Sequence, residues 1–446
     1  MKDKILKIGE KSVQAGLVFA CTLCVLCVLC VLFLISALIP RETVRENILT
    51  SAYRMEEQGE RYLLEEGKEW TRMDNYADAE WLNILYSLDP DRSWQTMFES
   101  PIYVDFGGEE DSLVHALILR VEQELDANTV YDRYWHGTVM LLRPLLVFMT
   151  MEQIYWFMAI VFVVLFVILC ALLLRRGFTW LTVILAVLVI PCGLEYIPFC
   201  AEYWSPWLIS LVLMIYILAR RPGWWEGSLL MLVSGTAVAY MDFLTTETVA
   251  FGLPFLLLLL LWQQREPGRK AGEYFACFVR SGLLWAAGYG GALLVKWVGS
   301  SMLLGDDRID FALNRAAYWD SGYGEADITG TGGILDNVRM LFPFRRISDD
   351  MNLLLLLIVI LGALFCFVFL FRKKQIPSVC PAVFLIALVP VLRFLTLSFH
   401  VSYHAFFTYR ALYLTLAALA VCGGKMTDWE MVRKYLKKAV PFLKKR

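Results

Sequence analysis

Residues 15–38 read AGLVFACTLCVLCVLCVLFLISAL, and residues 39–66 continue IPRETVRENILTSAYRMEEQGERYLLEE. The first run holds 24 residues without a charge. As a helix it spans about 36 Å, enough for a hydrocarbon layer of roughly 30 Å. It is too long for a signal-peptide core and has no small-residue cleavage site, so a retained anchor is expected. Its cysteines Cys21, Cys24, Cys27 and Cys30 recur at spacing three, which drifts around a helix and forms no ligand face. The second run changes character at Pro40. Val44, Ile48, Ala52 and Met55 fall on one side of a helix expected over 42–66 whose other side is rich in Glu and Arg. An anchor followed by an amphipathic polar segment sets the plan for the rest.

Working outward, apolar runs bounded by charge predict ten spans: 15–38, 153–174, 179–198, 204–219, 225–243, 248–262, 281–303, 352–371, 379–399 and 405–422. Of the 446 residues 58% are hydrophobic and 19% charged, which excludes a free-standing soluble enzyme, a nucleic-acid module and a disordered chain. The expected fold class is an all-α integral membrane protein of about ten transmembrane helices with a long helical first extracytoplasmic loop. Its organisation is 1–38, the N-terminus and first span; 39–151, the amphipathic loop; 152–304, spans two to seven. Then follow 305–350, a second outer loop; 351–422, spans eight to ten; and 423–446, a basic tail.

Orientation follows from the basic residues. Lys2, Lys4, Lys7 and Lys11 precede the first span, and every second loop is basic: Arg175–Arg176, Arg220–Arg221, Arg265 with Arg269 and Lys270, and Arg372–Lys374. The tail from Lys425 to Arg446 carries eight more Lys or Arg. Both termini are therefore expected in the cytoplasm of a multi-pass plasma-membrane protein, with the tail on anionic lipid. Residues 40–151 hold 22 acidic against 10 basic residues, and His115, His136, His400 and His404 all fall on this outer side. Residues 74–88 and 112–126 continue the amphipathic pattern through Trp81, Leu85 and Leu88, and through Val114, Leu117, Ile118, Val121 and Leu125. The glycine cluster Gly330–Gly333 lacks the Gly-Lys-Ser/Thr ending of a phosphate loop and reads as a flexible turn, so no nucleotide is expected at this face.

Three clusters carry potential chemistry. In Arg72-Met73-Asp74-Asn75-Tyr76-Ala77-Asp78-Ala79-Glu80, Asp74 and Asp78 are helical neighbours whose repulsion a cation or an acceptor hydroxyl would relieve. A solvated helix start capped by Asp74 is the alternative. In Ser398-Phe399-His400-Val401-Ser402-Tyr403-His404, followed by Phe407, Tyr409 and Arg410, the two histidines share a helix face suited to a metal or a phosphate, or simply end a span. Tyr134-Trp135-His136-Gly137 with Arg143-Pro144 suits a lipid headgroup, or an interfacial aromatic with a snorkelling Arg. Arg393, Lys296, Glu195, Asp242 and Glu247 sit in or at the outer ends of spans, where a charge costs a few kcal/mol unless it faces protein or water. Together they predict a polar cavity opening outward.

This architecture, a first span, a long outer loop with amphipathic helices and acidic residues, then many spans with polar outer loops, resembles the GT-C glycosyltransferases. The resemblance covers most of the chain and lies in plan more than in motif: Asp74 falls some 36 residues beyond the first span, later than such acids usually come. It implies transfer of a sugar from a polyprenyl-phosphate carrier to an extracytoplasmic acceptor in envelope glycan assembly. Asp74 or Asp78 would act as base or hold a divalent cation. Arg72, His136, Arg143, Asp242, Arg393, His400, His404 and Arg410 would line the substrate site. The partners implied are membrane lipids and the lipid-linked sugar, without nucleic acid. A transporter or flippase for an anionic or lipid-linked solute, and a non-catalytic assembly protein, are the alternatives.

Overall fold

The computed structural model of the protein describes residues 2–107, 112–321, 330–342, 344 and 376–434. It is mostly helical (77%). Among the described residues, six helices are long and apolar enough to cross a membrane. They are Gly16–Ala37, Met151–Arg175, Ala201–Arg220, Thr248–Arg265, Ala271–Leu304 and Ala405–Met426. This is the pattern of a multi-pass membrane protein. The expected span at 352–371, the basic cluster 372–374 and the tail beyond 434 lie outside the described residues.

The long loop forms a folded unit on one face of the bundle, here the loop face. The chain leaves α1 (Lys2–Ala37) through Pro40 into α2 (Arg41–Gln58). The helix expected through residue 66 stops at Gln58 because Gly59 takes φ 86, and the chain turns back. Strands β1 (Arg61–Leu63) and β2 (Arg72–Asp74) pair antiparallel, with Arg61 opposite Asp74. Then come α3 (Asn75–Tyr86), α4 (Ser93–Glu99), β3 (Pro101–Ile102), α5 (Leu113–Gln123), β4 (Thr129–Val130) and α6 (Val139–Leu146). The two small ladders, β1–β2 and β3–β4, depart from the all-α expectation.

The predicted apolar stripes become the core of this unit: Val44, Ile48, Ala52, Trp81, Leu85, Leu117 and Val121 are fully buried. Buried arginines tie the helix ends together. Arg120 Nη1 donates to Asn83 O at 2.7 Å and Asn83 Oδ1 at 2.5 Å. Arg143 donates to the carbonyls of Ile39, Leu85 (2.6 Å) and Leu88 (3.1 Å).

Below the loop unit lie α7 (Met151–Arg175), α8 (Thr179–Leu188), α9 (Trp204–Arg220), α10 (Trp224–Met241), α11 (Thr248–Arg265) and α12 (Ala271–Leu304). Next are α13 (Arg308–Ser321), α14 (Gly330–Arg339), α15 (Cys380–Thr396), α16 (Ser398–Tyr403), α17 (Ala405–Thr408) and α18 (Leu412–Met426). The run 179–198 is not one span. Its helix ends after ten residues, and the chain crosses Pro191, Gly193 (φ 62) and Pro198 as irregular and 3-10 backbone up to Trp204. Such backbone is stable at membrane depth only where protein satisfies its polar groups. Gly330–Gly333 opens α14 instead of forming a flexible turn. Helices α10 and α12 approach closely enough that a side chain at Gly235 or Gly288 would strike the backbone of the other helix.

Candidate functional site

The β1–β2 hairpin docks on the linker between α15 and α18. Asp74 caps α3, its Oδ1 accepting from Ala77 N at 3.1 Å, while its Oδ2 lies 3.9 Å from Arg61 Nε. Arg61 Nη1 in turn donates to the Tyr403 hydroxyl at 3.1 Å. Tyr409 donates to Trp70 O at 3.3 Å, Tyr203 donates to Arg72 O at 3.2 Å, and the Arg72 guanidinium sits 5.4 Å over the Phe406 ring. Segments more than 300 residues apart in the chain thus share one polar patch. Burial pushes the Asp74 carboxyl above the usual range, with the Arg61 charge pulling it back.

His400 and His404 stand one helical turn apart, with ring centroids at 4.7 Å. Trp319 of α13 covers both, at 5.1 Å and 5.4 Å, and Phe407 stacks on His404 at 5.0 Å. Both Nδ1 atoms are buried without a hydrogen-bond partner among the described residues. Burial drives both imidazoles neutral. The His404 pKa falls to about 3, with Arg61 and Arg393 adding to the effect; His400 is lowered by burial, then by His404 and Arg393. Arg393 donates from Nε to Glu247 Oε1 at 2.8 Å and from Nη2 to Leu244 O at 2.6 Å. Its Nη1 and the second Glu247 oxygen have no partner among the described residues. Three nitrogen sites, His400 Nδ1, His404 Nδ1 and Arg393 Nη1, are therefore uncommitted in one buried region.

Other expected site residues are occupied, wholly or, for Arg410, in part. The Tyr155 hydroxyl and Ala201 N donate to Asp78 Oδ2 at 2.6 Å and 3.0 Å, and Glu202 N donates to Oδ1 at 3.2 Å. Asp78 thus pins the irregular segment before α9 to α3. Its pKa is pushed up to about 6 by burial against these donors. Arg143 spends its guanidinium on the three carbonyls named above. Arg410 donates to Gly193 O and Phe406 O, both at 3.1 Å, between the rings of Tyr203 and Tyr409, leaving Nη2 without a partner among the described residues. Asp242 accepts from Thr245 N at 2.9 Å and Thr245 Oγ1 at 2.5 Å, closing the turn between α10 and α11.

His136 belongs to a different junction. At φ 58 it points Nδ1 to Ser100 Oγ at 2.9 Å, an atom that also accepts from Lys296 Nζ at 3.0 Å. Its ring is edge-on to Phe243 at 4.8 Å. These contacts hold the loop unit onto α12 and do not reach the Asp74 patch.

Two residues were missed in the sequence. In the sequence Arg61 falls within the Glu/Arg-rich stretch that continues α2's pattern, and only the hairpin register sets it opposite Asp74. Glu202 is buried with Oε2 unpartnered among the described residues, beside Asp78. The cost of a carboxylate between apolar runs, the argument applied to Asp242, could have found it. The divalent cation left possible by the sequence has no ligand set among the described residues: no group of three or more His, Cys, Asp or Glu is arranged to hold a metal. All cysteines among them are free. Comparison with family models, curated proteins and solved structures gives no match, so the reading of this site rests on its geometry.

Proposed function

We propose that the protein is a GT-C-like glycosyltransferase moving a sugar from a polyprenyl-phosphate carrier to an acceptor hydroxyl, with the loop face outside the cytoplasm of the plasma membrane and both termini inside. The observation that carries this reading is the Arg61 bridge, which ties the buried Asp74 carboxylate to the hydroxyl of Tyr403, whose ring lies 4.9 Å from that of His404 with its unpartnered Nδ1. In the reaction the acceptor oxygen attacks the anomeric carbon with inversion, and the bond from that carbon to the phosphate oxygen breaks. Asp74 takes the acceptor proton; a carboxyl made more basic by burial suits that task. Arg393 and the His400–His404 pair face the charge that develops on the departing phosphate. Asp78 positions the segment carrying Glu202.

Purified protein incubated with labelled polyprenyl-phosphate sugars and several acceptors tests this. No transfer with any carrier would count heavily against it. A transporter for an anionic solute is the second reading, favoured by the buried Arg393–Glu247 pair beside the broken segment 242–247. Uptake into proteoliposomes without transfer would select it.

A further inference from the structure

Two cavities lie one above the other along α7. The lower, about 390 Å³, is walled by Ala159, Phe162 and Phe166 of α7, Leu185 of α8, and Trp207 and Met214 of α9. Apart from Ser210 and Glu195 its lining is apolar or aromatic. The neighbouring α7 residues Ile160, Val163 and Val167 are 60% or more exposed, so the groove opens on the hydrocarbon side of a membrane span. Water gains nothing by filling such a space, whereas a hydrocarbon chain does. The upper cavity, about 310 Å³, sits where α7 meets the loop unit and has a mixed lining. Thr50, Arg54, Gln58 and Glu152 supply polar edges, and Tyr62 and Trp156 supply rings. Both volumes fall in the range of small-molecule sites, roughly 300–1,000 Å³.

The two are joined. Phe199 lines both, and its ring meets Trp156 edge-on at 5.1 Å. From Glu152 to Leu169 helix α7 descends about 25 Å past them. Charge in the upper cavity is balanced: Arg54 pairs with Glu57 at 2.9 Å and approaches Glu152 at 4.0 Å. A phosphate would meet no unpaired cation there. An uncharged ring with hydroxyl edges and apolar faces matches the mixture of polar groups and aromatic rings. The wall residue Tyr155 is the one whose hydroxyl holds Asp78.

We infer that α7 carries a binding site for one membrane amphiphile, its hydrocarbon chain in the lower groove and an uncharged, hydroxyl-bearing headgroup in the upper cavity. The inference rests on the transferase reading for one point only: there, the amphiphile is the acceptor.

The test uses the full-length protein in lipid nanodiscs and three photoactivatable amphiphiles sharing one diazirine chain, headed by a hexosyl group, a bare alcohol or a phosphate. The expected result is labelling of peptides containing 159–169 and 207–214, with the hexosyl probe favoured about tenfold. Ala159→Trp, which fills the groove from a partly lipid-facing position, cuts that labelling about tenfold, and Trp156→Ala erases the headgroup preference. An internal control is the larger apolar groove between α1 and α12, near Val18 and Leu283. Equal labelling of both grooves, or labelling unchanged by Ala159→Trp, overturns the site. Because labelling reads binding alone, a site that labels as expected in a protein without transferase activity refutes the transferase and leaves the amphiphile site standing. Transfer that persists in Ala159→Trp after labelling is lost removes the acceptor role.

Discussion

Glu80→Gln should change the pH dependence of stability, in a direction opposite to ordinary acid denaturation. Glu80 lies in the first turns of α3, 5% exposed, and burial pushes its carboxyl from the usual 4.5 to about 8, with Arg133 opposing. A carboxyl raised on folding holds its proton more tightly in the folded state than in the unfolded one. Its contribution to stability is complete below pH 4.5 and is lost as pH rises through about 8. At 1.36 kcal/mol per pH unit, that interval corresponds to about 5 kcal/mol. A glutamine of the same shape does not titrate, so the wild-type-minus-variant difference isolates Glu80 and its coupling to Asp74 and Glu202, while a group it does not perturb, such as Asp78 with its smaller loss between 3.8 and about 6, cancels. The assay is the apparent melting midpoint by tryptophan fluorescence in detergent, from pH 4.5 to 8.5 at one scan rate. At about 1 °C per kcal/mol for a chain of 446 residues, the variant should gain roughly 5 °C on the wild type across that range, whatever their offset at pH 4.5. Parallel curves would refute the burial argument for α3.

Three further outcomes follow from the contacts. Arg143→Ala should cost about 3–5 kcal/mol by stripping the carbonyls of Ile39, Leu85 and Leu88 of their donor. Faster hydrogen exchange around residues 39–41 and 85–90 checks it, and a wild-type melting midpoint would contradict it. Asp74→Asn keeps the cap on Ala77 and should stay within about 1 kcal/mol of the wild type, while transfer falls by at least about 100-fold if Asp74 is the base. Gly193→Ala should destabilise by about 1–3 kcal/mol, because φ 62 is left-handed and the added methyl meets the Tyr409 hydroxyl. A Gly193→Ala, Tyr409→Phe double variant that recovers part of the loss would separate the clash from the backbone term.

Much of the plan was legible in the chain. Apolar run length alone placed the helices at 15–38, 153–174, 248–262 and 405–422, because hydrocarbon thickness imposes a length no other constraint mimics. The stripe Val44–Ile48–Ala52–Met55 predicted the buried side of α2, since helical period and burial are locally linked. The same reasoning failed where apolarity continues but the backbone breaks: the run 179–198 looks uniform in hydropathy, yet Pro191, Gly193 and Pro198 divide it. Hydropathy carries no information about backbone angles. It also failed at residues 59–74, where Gly59 converts an extension of α2 into a hairpin.

For the candidate site, the sequence by itself determined which groups in the spans are expensive: Asp242, Glu247, Lys296 and Arg393 are all buried, as their cost in apolar surroundings implied they must be accommodated, and the motif residues Asp74, Asp78, Arg143, His400 and Arg410 are buried with them. Only the tertiary structure decided what each is doing. Arg143 and Asp78 look as chemically able as Arg393 and Asp74 when read along the chain. The first two have their hydrogen-bonding capacity consumed by partners 55 to 124 residues away, chiefly backbone groups and the Tyr155 hydroxyl. The others retain a free atom or a loose ion pair. Composition records that a charge is present, whereas its availability depends on partners distant in sequence, and those are set only when the segments pack.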